Sequence, residues 1–123
     1  MARALIAGAV LLAASAAAAA AGEATGEWLR DNGEAKVRFA PCGAALCGSI
    51  TWLRDASGPA KVGQKVFFDM TLKSEGVWTG SAFNPDDGRT YSGKMTLAGD
   101  RLTTAGCVLG GLICKSVSWT RAR

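Results

Sequence analysis

From residue 25 to the end, apolar residues alternate with polar ones at period two, and turn residues interrupt the pattern every few positions. Alternation of this kind belongs to strands with one buried face, and no stretch keeps a helical period over a useful length. The runs are Thr25 to Arg30, Glu34 to Ala40, Ser49 to Arg54, Lys65 to Leu72, Val77 to Phe83, Arg89 to Leu97, Arg101 to Val108 and Lys115 to Arg121. Asp31-Asn32-Gly33, Asn84-Pro85-Asp86-Asp87-Gly88, Gly99-Asp100 and Gly110-Gly111 punctuate them, each rich in residues that favour turns. About eight short strands in hairpin succession leave two open edges unless the sheet closes. The expected fold is therefore all-β, a single small antiparallel up-and-down β-barrel.

Phase assigns side chains to faces. Val37 and Phe39 share one face, Ile50 and Trp52 another, and Val66, Phe68, Met70 and Leu72 point the same way along their run. Asn84-x-Asp86-x-Gly88 alternates oxygen-bearing side chains, but no late Glu follows, so an Asx-type hairpin turn is expected there rather than a calcium loop. Asp69 is the one acid inside an apolar run, and its phase predicts a solvated carboxylate. Asp55 to Gln64, with Gly58-Pro59 and Gly63, is the longest polar stretch and is expected to form a mobile loop.

The start of the chain differs in composition. Arg3 precedes an apolar, Ala-rich run that ends in small residues at Ala19 to Ala21, the layout of a cleaved secretory signal peptide. Residues 1–21 are read as that signal and 22–123 as the single domain, which places the protein in the periplasm or outside the cell and gives no membrane-spanning segment. Loss of Arg3 would lower the net charge from +4 to +3. The basic residues form no run, so no nucleic-acid partner is expected. Cys42, Cys47, Cys107 and Cys114 all lie beyond the signal, and an even number in an oxidising compartment reads as disulfides. Three pairings are possible; the local ones, Cys42 with Cys47 and Cys107 with Cys114, are favoured because each pair flanks a Gly-containing turn. Their spacing is not that of a zinc knuckle, and no metal or cofactor is expected.

Gly26-Glu27-Trp28 on the first run, set against Trp119-Thr120-Arg121 on the last, resembles the lipocalin and calycin pattern. There a Gly-x-Trp closes the barrel floor and an Arg from the last strand stacks over the Trp. Gly26, Trp28, Trp119 and Arg121 are the closure residues this implies. The wider set is similar to a small exported bacterial family, the domain of unknown function 2147. It comprises Gly26-x-Trp28, the loop Cys42 to Gly48, Trp78 with Asn84 to Gly93, and Gly106 to Cys114 running into Trp119-Thr120-Arg121. The resemblance implies a lipocalin-like barrel and no established ligand or activity.

The sequence holds no His, which removes the commonest general base and the usual metal ligand. A binder is expected rather than an enzyme. Gly80, Ala82 and Gly93 sit in phase with Trp78 and Tyr91, and small residues there would leave space beside the rings, although a strand Gly also serves bending. Trp52, Trp78, Gly80, Ala82, Tyr91, Gly93 and Met95 are the candidate cavity, suited to a small apolar or amphipathic, lipid-like ligand. The alternative is a filled barrel that contacts an envelope protein through loops such as Asp55 to Gln64.

Overall fold

A computed structural model describes residues 23–122. The signal-peptide reading of residues 1–21 lies outside the described residues. Eight strands run in chain order: β1 (Gly26–Arg30), β2 (Ala35–Cys42), β3 (Ala45–Leu53), β4 (Lys65–Ser74), β5 (Val77–Asn84), β6 (Arg89–Ala98), β7 (Arg101–Val108) and β8 (Ile113–Arg121), with one 3-10 turn at Leu109–Gly111. Each strand pairs antiparallel with the next, and β8 pairs back to β1, so the sheet is a closed barrel. The expected architecture is found.

Closure rests on a short seam, because β1 has five residues and meets β8 only at Trp28↔Arg121, Leu29↔Thr120 and Arg30↔Trp119. Side chains reinforce it. The Arg121 guanidinium lies 4.3 Å from the centroid of the Trp28 ring. Its Nη1 donates to Thr25 O at 3.0 Å and its Nη2 to Glu23 O at 2.8 Å. Its Nε pairs with Asp100 at 3.5 Å, at the turn between β6 and β7. Trp28 is fully buried, and its indole N–H donates to Ala24 O at 3.0 Å. The stacking expected from Gly26-x-Trp28 and Arg121 is present, and it also holds the chain ahead of β1 against the barrel floor.

Above this floor the interior is packed with Val37, Phe39, Met70, Trp78, Met95 and Leu102, all nearly inaccessible. Phe67 packs tilted on Phe39 at 5.2 Å between centroids and edge-on to Trp119 at 6.4 Å. Thr104 is buried because its hydroxyl accepts the Trp119 indole N–H at 2.9 Å. Among the described residues no buried side-chain nitrogen or oxygen lacks a hydrogen-bond partner. Satisfied indoles are what allow two large amphipathic rings to sit deep in a small core.

Two bulges change the faces expected from strict alternation. Lys36 faces Trp52 while Val37 faces Ile50, so Thr51 is an extra residue in β3. Ile50 stays buried, but Trp52 swings outward, 40% exposed, with the Lys36 ammonium 5.7 Å from its ring. In β4, Phe68 faces Ser81 and the next pair is Thr71↔Thr79, so Asp69 and Met70 together oppose the single residue Gly80. Asp69 takes φ 51. The slip puts Phe67 into the core beside Gly48 and turns Phe68 outward, where Lys65 approaches its ring at 5.7 Å. An inserted residue reverses the faces on one side of it, which a period-two reading does not register.

Removing the Arg121 side chain takes away the cation over Trp28 and two hydrogen bonds, together worth about 2 kcal/mol. Arg121→Ala is expected to lower Tm by roughly 10 °C for a domain of this size. Arg121→Lys restores less than half of that, since a point charge cannot reach both carbonyls at once. Thermal unfolding followed by circular dichroism checks both.

Candidate functional site

The structure brings together six of the seven candidate cavity residues. Trp78↔Met95, Gly80↔Gly93 and Ala82↔Tyr91 are consecutive same-face pairs across β5 and β6. Trp52 does not join them, because the β3 bulge turns it outward. Of the six, Gly80 and Gly93 border a depression on the outer wall of the sheet. Trp78 and Met95 are core. A Cβ at Gly80 would collide with Phe68 O and stand 2.7 Å from Asp69 O, the main chain of the β4 bulge. At Gly93 it would meet Ser81 C at 3.0 Å, and at Gly106, the residue paired with Gly93 on β7, it would meet Tyr91 Cβ at 3.3 Å. Gly80, Gly93 and Gly106 thus form a lateral row where neighbouring strands and the Tyr91 ring press in. Close main-chain approach accounts for a glycine at each of these positions.

Tyr91, the only tyrosine of the chain, closes this row. Its hydroxyl hydrogen-bonds to the carboxylate of Asp87, whose other oxygen accepts the Arg89 N–H at 2.9 Å. The turn between β5 and β6 is an Asx turn, with Asp86 N–H donating to Asn84 Oδ1 at 2.9 Å and Gly88 N–H to Asn84 O at 2.8 Å. The calcium-like spacing is therefore accounted for by hydrogen bonds within the turn. The Tyr91 hydrogen bond, and then the Arg89 N–H, hold the Asp87 carboxyl below its usual range. The bond to Asp87 pushes the Tyr91 phenol above its own.

Both expected disulfides are formed. Cys42–Cys47 ties the β2–β3 hairpin, whose two-residue turn places Gly43 at φ 68, so β3 begins at Ala45, four residues before the expected Ser49. Asp69 comes within 4.8 Å of both sulfurs, but these are bonded to each other and leave one exposed carboxylate as a ligand atom. Cys107–Cys114 links directly facing residues of β7 and β8, with Cα atoms 4.1 Å apart.

The segment beyond that second disulfide is the feature sequence reasoning missed. Leu109, Leu112 and Ile113 are 68%, 85% and 58% exposed, and Val108 is exposed beside them. Leu109 also takes φ 53, a left-handed conformation that costs a bulky residue roughly 1–2 kcal/mol. β8 meets β1 only from Trp119 onward, so among the described residues Ile113 to Val117 have strand partners on the β7 side alone. The apolar run Val108-Leu109-Gly110-Gly111-Leu112-Ile113, in a turn where polar residues are the norm, is the signal that marks it.

Two open depressions of about 560 Å3 each lie on the surface. One, at the floor, is lined by Glu23, Glu75, Gly76, Leu97, Gly99 and Arg121. The other lies on the outer wall of β4 to β7 and includes Lys73, Lys94, Cys107, Gly110 and Gly111. The loop Asp55 to Gln64 is tied to β3 at its far end, where Ile50 N–H donates to Gln64 O at 2.9 Å and Gly63 N–H to Ile50 O at 2.7 Å, while at its start Ser57 N–H and hydroxyl donate within the loop to Asp55 Oδ1.

Two measurements check this geometry. Gly80→Ala forces a methyl onto two carbonyl oxygens and is expected to cost about 3 kcal/mol, against about 1 for Gly93→Ala, in chemical denaturation. A lined cavity would accept both methyls without loss. The phenolate absorbance of the single tyrosine reads Tyr91 directly. It is expected to titrate above the ordinary tyrosine range, and Asp87→Asn should bring it back down. Because the folded Tyr91 value is raised, its contribution to stability is complete below the unfolded tyrosine value and is lost as pH rises through the folded one. The depressed Asp87 contributes above the unfolded carboxyl value and is lost as pH falls through its own.

No curated protein and no solved structure matches the chain. A family described as an uncharacterized protein conserved in bacteria, DUF2147, matches residues 26–121, from the first residue of β1 to the last of β8. That span covers the Trp28 and Arg121 closure, both disulfides and the apolar tip, and the chain belongs to this family.

Proposed function

We propose that this protein is an exported binding module with a filled barrel, and that it acts through its surface rather than through an interior ligand site or an active centre. The observation that carries the reading is a contrast: the inner faces of Gly80, Gly93 and Gly106 are occupied by neighbouring chain, while Leu109, Leu112 and Ile113 are left to solvent. A small domain with a satisfied core gains nothing from three exposed aliphatic side chains at one tip unless something covers them. The strained φ of Leu109 points the same way, since costly backbone persists where function requires it. Export is supported by the two disulfides and by the arrangement of residues 1–21 in the sequence. The absence of histidine from the sequence, and an Asp87–Tyr91 pair in which each group holds the other's proton state away from neutrality, favour a binding role over acid–base catalysis.

Native mass spectrometry of the protein purified from its own cells tests this reading. The expected spectrum is the bare mature chain with two disulfides. A stoichiometric small molecule that organic extraction removes would overturn it in favour of a ligand-binding barrel.

A further inference from the structure

Resting on that reading, we infer that the β7–β8 tip is a membrane-contact element, and that the surface it fits is a bilayer rich in anionic phospholipid. Three observations combine. The apolar residues are exposed and terminal: Leu109, Leu112 and Ile113 crown a hairpin whose last strand, among the described residues, has no partner on its outer side until Trp119. A projecting wedge suits the boundary between headgroups and acyl chains, where there is no fixed pocket to match. Charge agrees with this. Residues 101–123 contain no Asp or Glu, and the exposed Lys115 follows the tip directly. Lys73 and Lys94 line the same outer-wall depression as Gly110 and Gly111, placing two more cations beside the wedge. Basic residues near an anionic surface add attraction to apolar insertion. Exposed Asp69, beside Thr71 and Gly80 of that depression, is one acid set against these three lysines, and Asp87 in the β5–β6 turn is engaged by Tyr91 and the Arg89 N–H.

The tip is also built to keep its shape. The Cys107–Cys114 disulfide locks its base, and Leu112 N–H donates to Leu109 O at 3.3 Å across the turn. Leu109 adopts φ 53, where Asn or Gly would be at ease. The leucine is thus retained against local preference, which a contact with acyl chains explains and packing within the chain does not.

Co-flotation of the mature, disulfide-bonded protein with phospholipid vesicles tests the proposal, comparing pure phosphatidylcholine with a mixture of phosphatidylcholine and phosphatidylglycerol. The expected result is flotation with the mixed vesicles, weak flotation with the neutral ones, and loss in high salt. Leu112→Ser with Ile113→Ser should reduce binding at least about tenfold, since each side chain loses its apolar insertion. Lys73→Glu with Lys94→Glu should reduce binding to the mixed vesicles by about tenfold or more while leaving the weak neutral component. Leu109→Asn separates contact from folding: Tm should rise while flotation falls. Failure to float on either vesicle, equal flotation on both, or flotation that ignores the tip substitutions overturns the membrane assignment. If the mass spectrum still shows the bare chain and a photo-crosslinker at Leu112 labels protein instead of lipid, the membrane assignment fails alone and the surface reading stands. A stoichiometric extractable ligand would overturn the surface reading itself.

Discussion

The barrel depends on the contact between Trp28 and Arg121. Seven of its eight seams join consecutive strands and are helped by short turns, but the eighth must bring residues nearly a hundred positions apart together with three residue pairs. Loop closure over that distance is entropically expensive, and so short a ladder carries few main-chain bonds to offset it. The guanidinium supplies the difference by acting in three ways at once: over the indole, on the carbonyls of Thr25 and Glu23, and against Asp100. It ties the first strand, the last strand and the β6–β7 turn into one floor, and the core is assembled on that floor.

Closure by so short a β1 has a consequence at the other end. β8 has nine residues and β1 only five, so the upper part of β8 runs on with β7 alone. The same mismatch that makes the seam fragile produces the projecting hairpin, and the Cys107–Cys114 bond restrains it where the barrel no longer does. In the lower barrel, aromatic and thioether side chains fill the interior. In the upper part, the row of Gly80, Gly93 and Gly106 lets the β4 bulge and the Tyr91 ring close in. Packing and projection thus follow from one topology, and they direct attention from the lumen to the tip.

Strand number, order and turns were legible in the sequence because each hairpin carries its own punctuation, and Arg101 to Val108 matches β7 residue for residue. The closure residues were legible because an indole and a guanidinium on the terminal strands have a specific reason to meet. The bulges at Thr51 and Asp69 were not. Phe67-Phe68 offers two equally apolar phases, and only the cross-strand register chooses between them. Trp52 was placed inside for the same reason. Alternation marks Gly80 and Gly93 as positions without a side chain, but whether a missing Cβ leaves room for a ligand or for a neighbouring main chain is decided by residues far away in sequence. The tip was visible as Val-Leu-Gly-Gly-Leu-Ile, yet alternation treats a turn as punctuation and passes over what the turn exposes.

Native-state hydrogen exchange resolved by residue measures whether the Trp28–Arg121 contact holds the barrel shut. The amides of Asp31 and Ala122 donate across the seam to Ser118 O and Glu27 O. If the Trp28–Arg121 contact secures the barrel, these two amides exchange only through global unfolding, on a par with the core strands, while those on the unpartnered edge of Ile113 to Val117 exchange rapidly. Seam amides that exchange as fast as that edge would mean that the barrel opens between β1 and β8 in its native state and that Trp28 and Arg121 do not secure it.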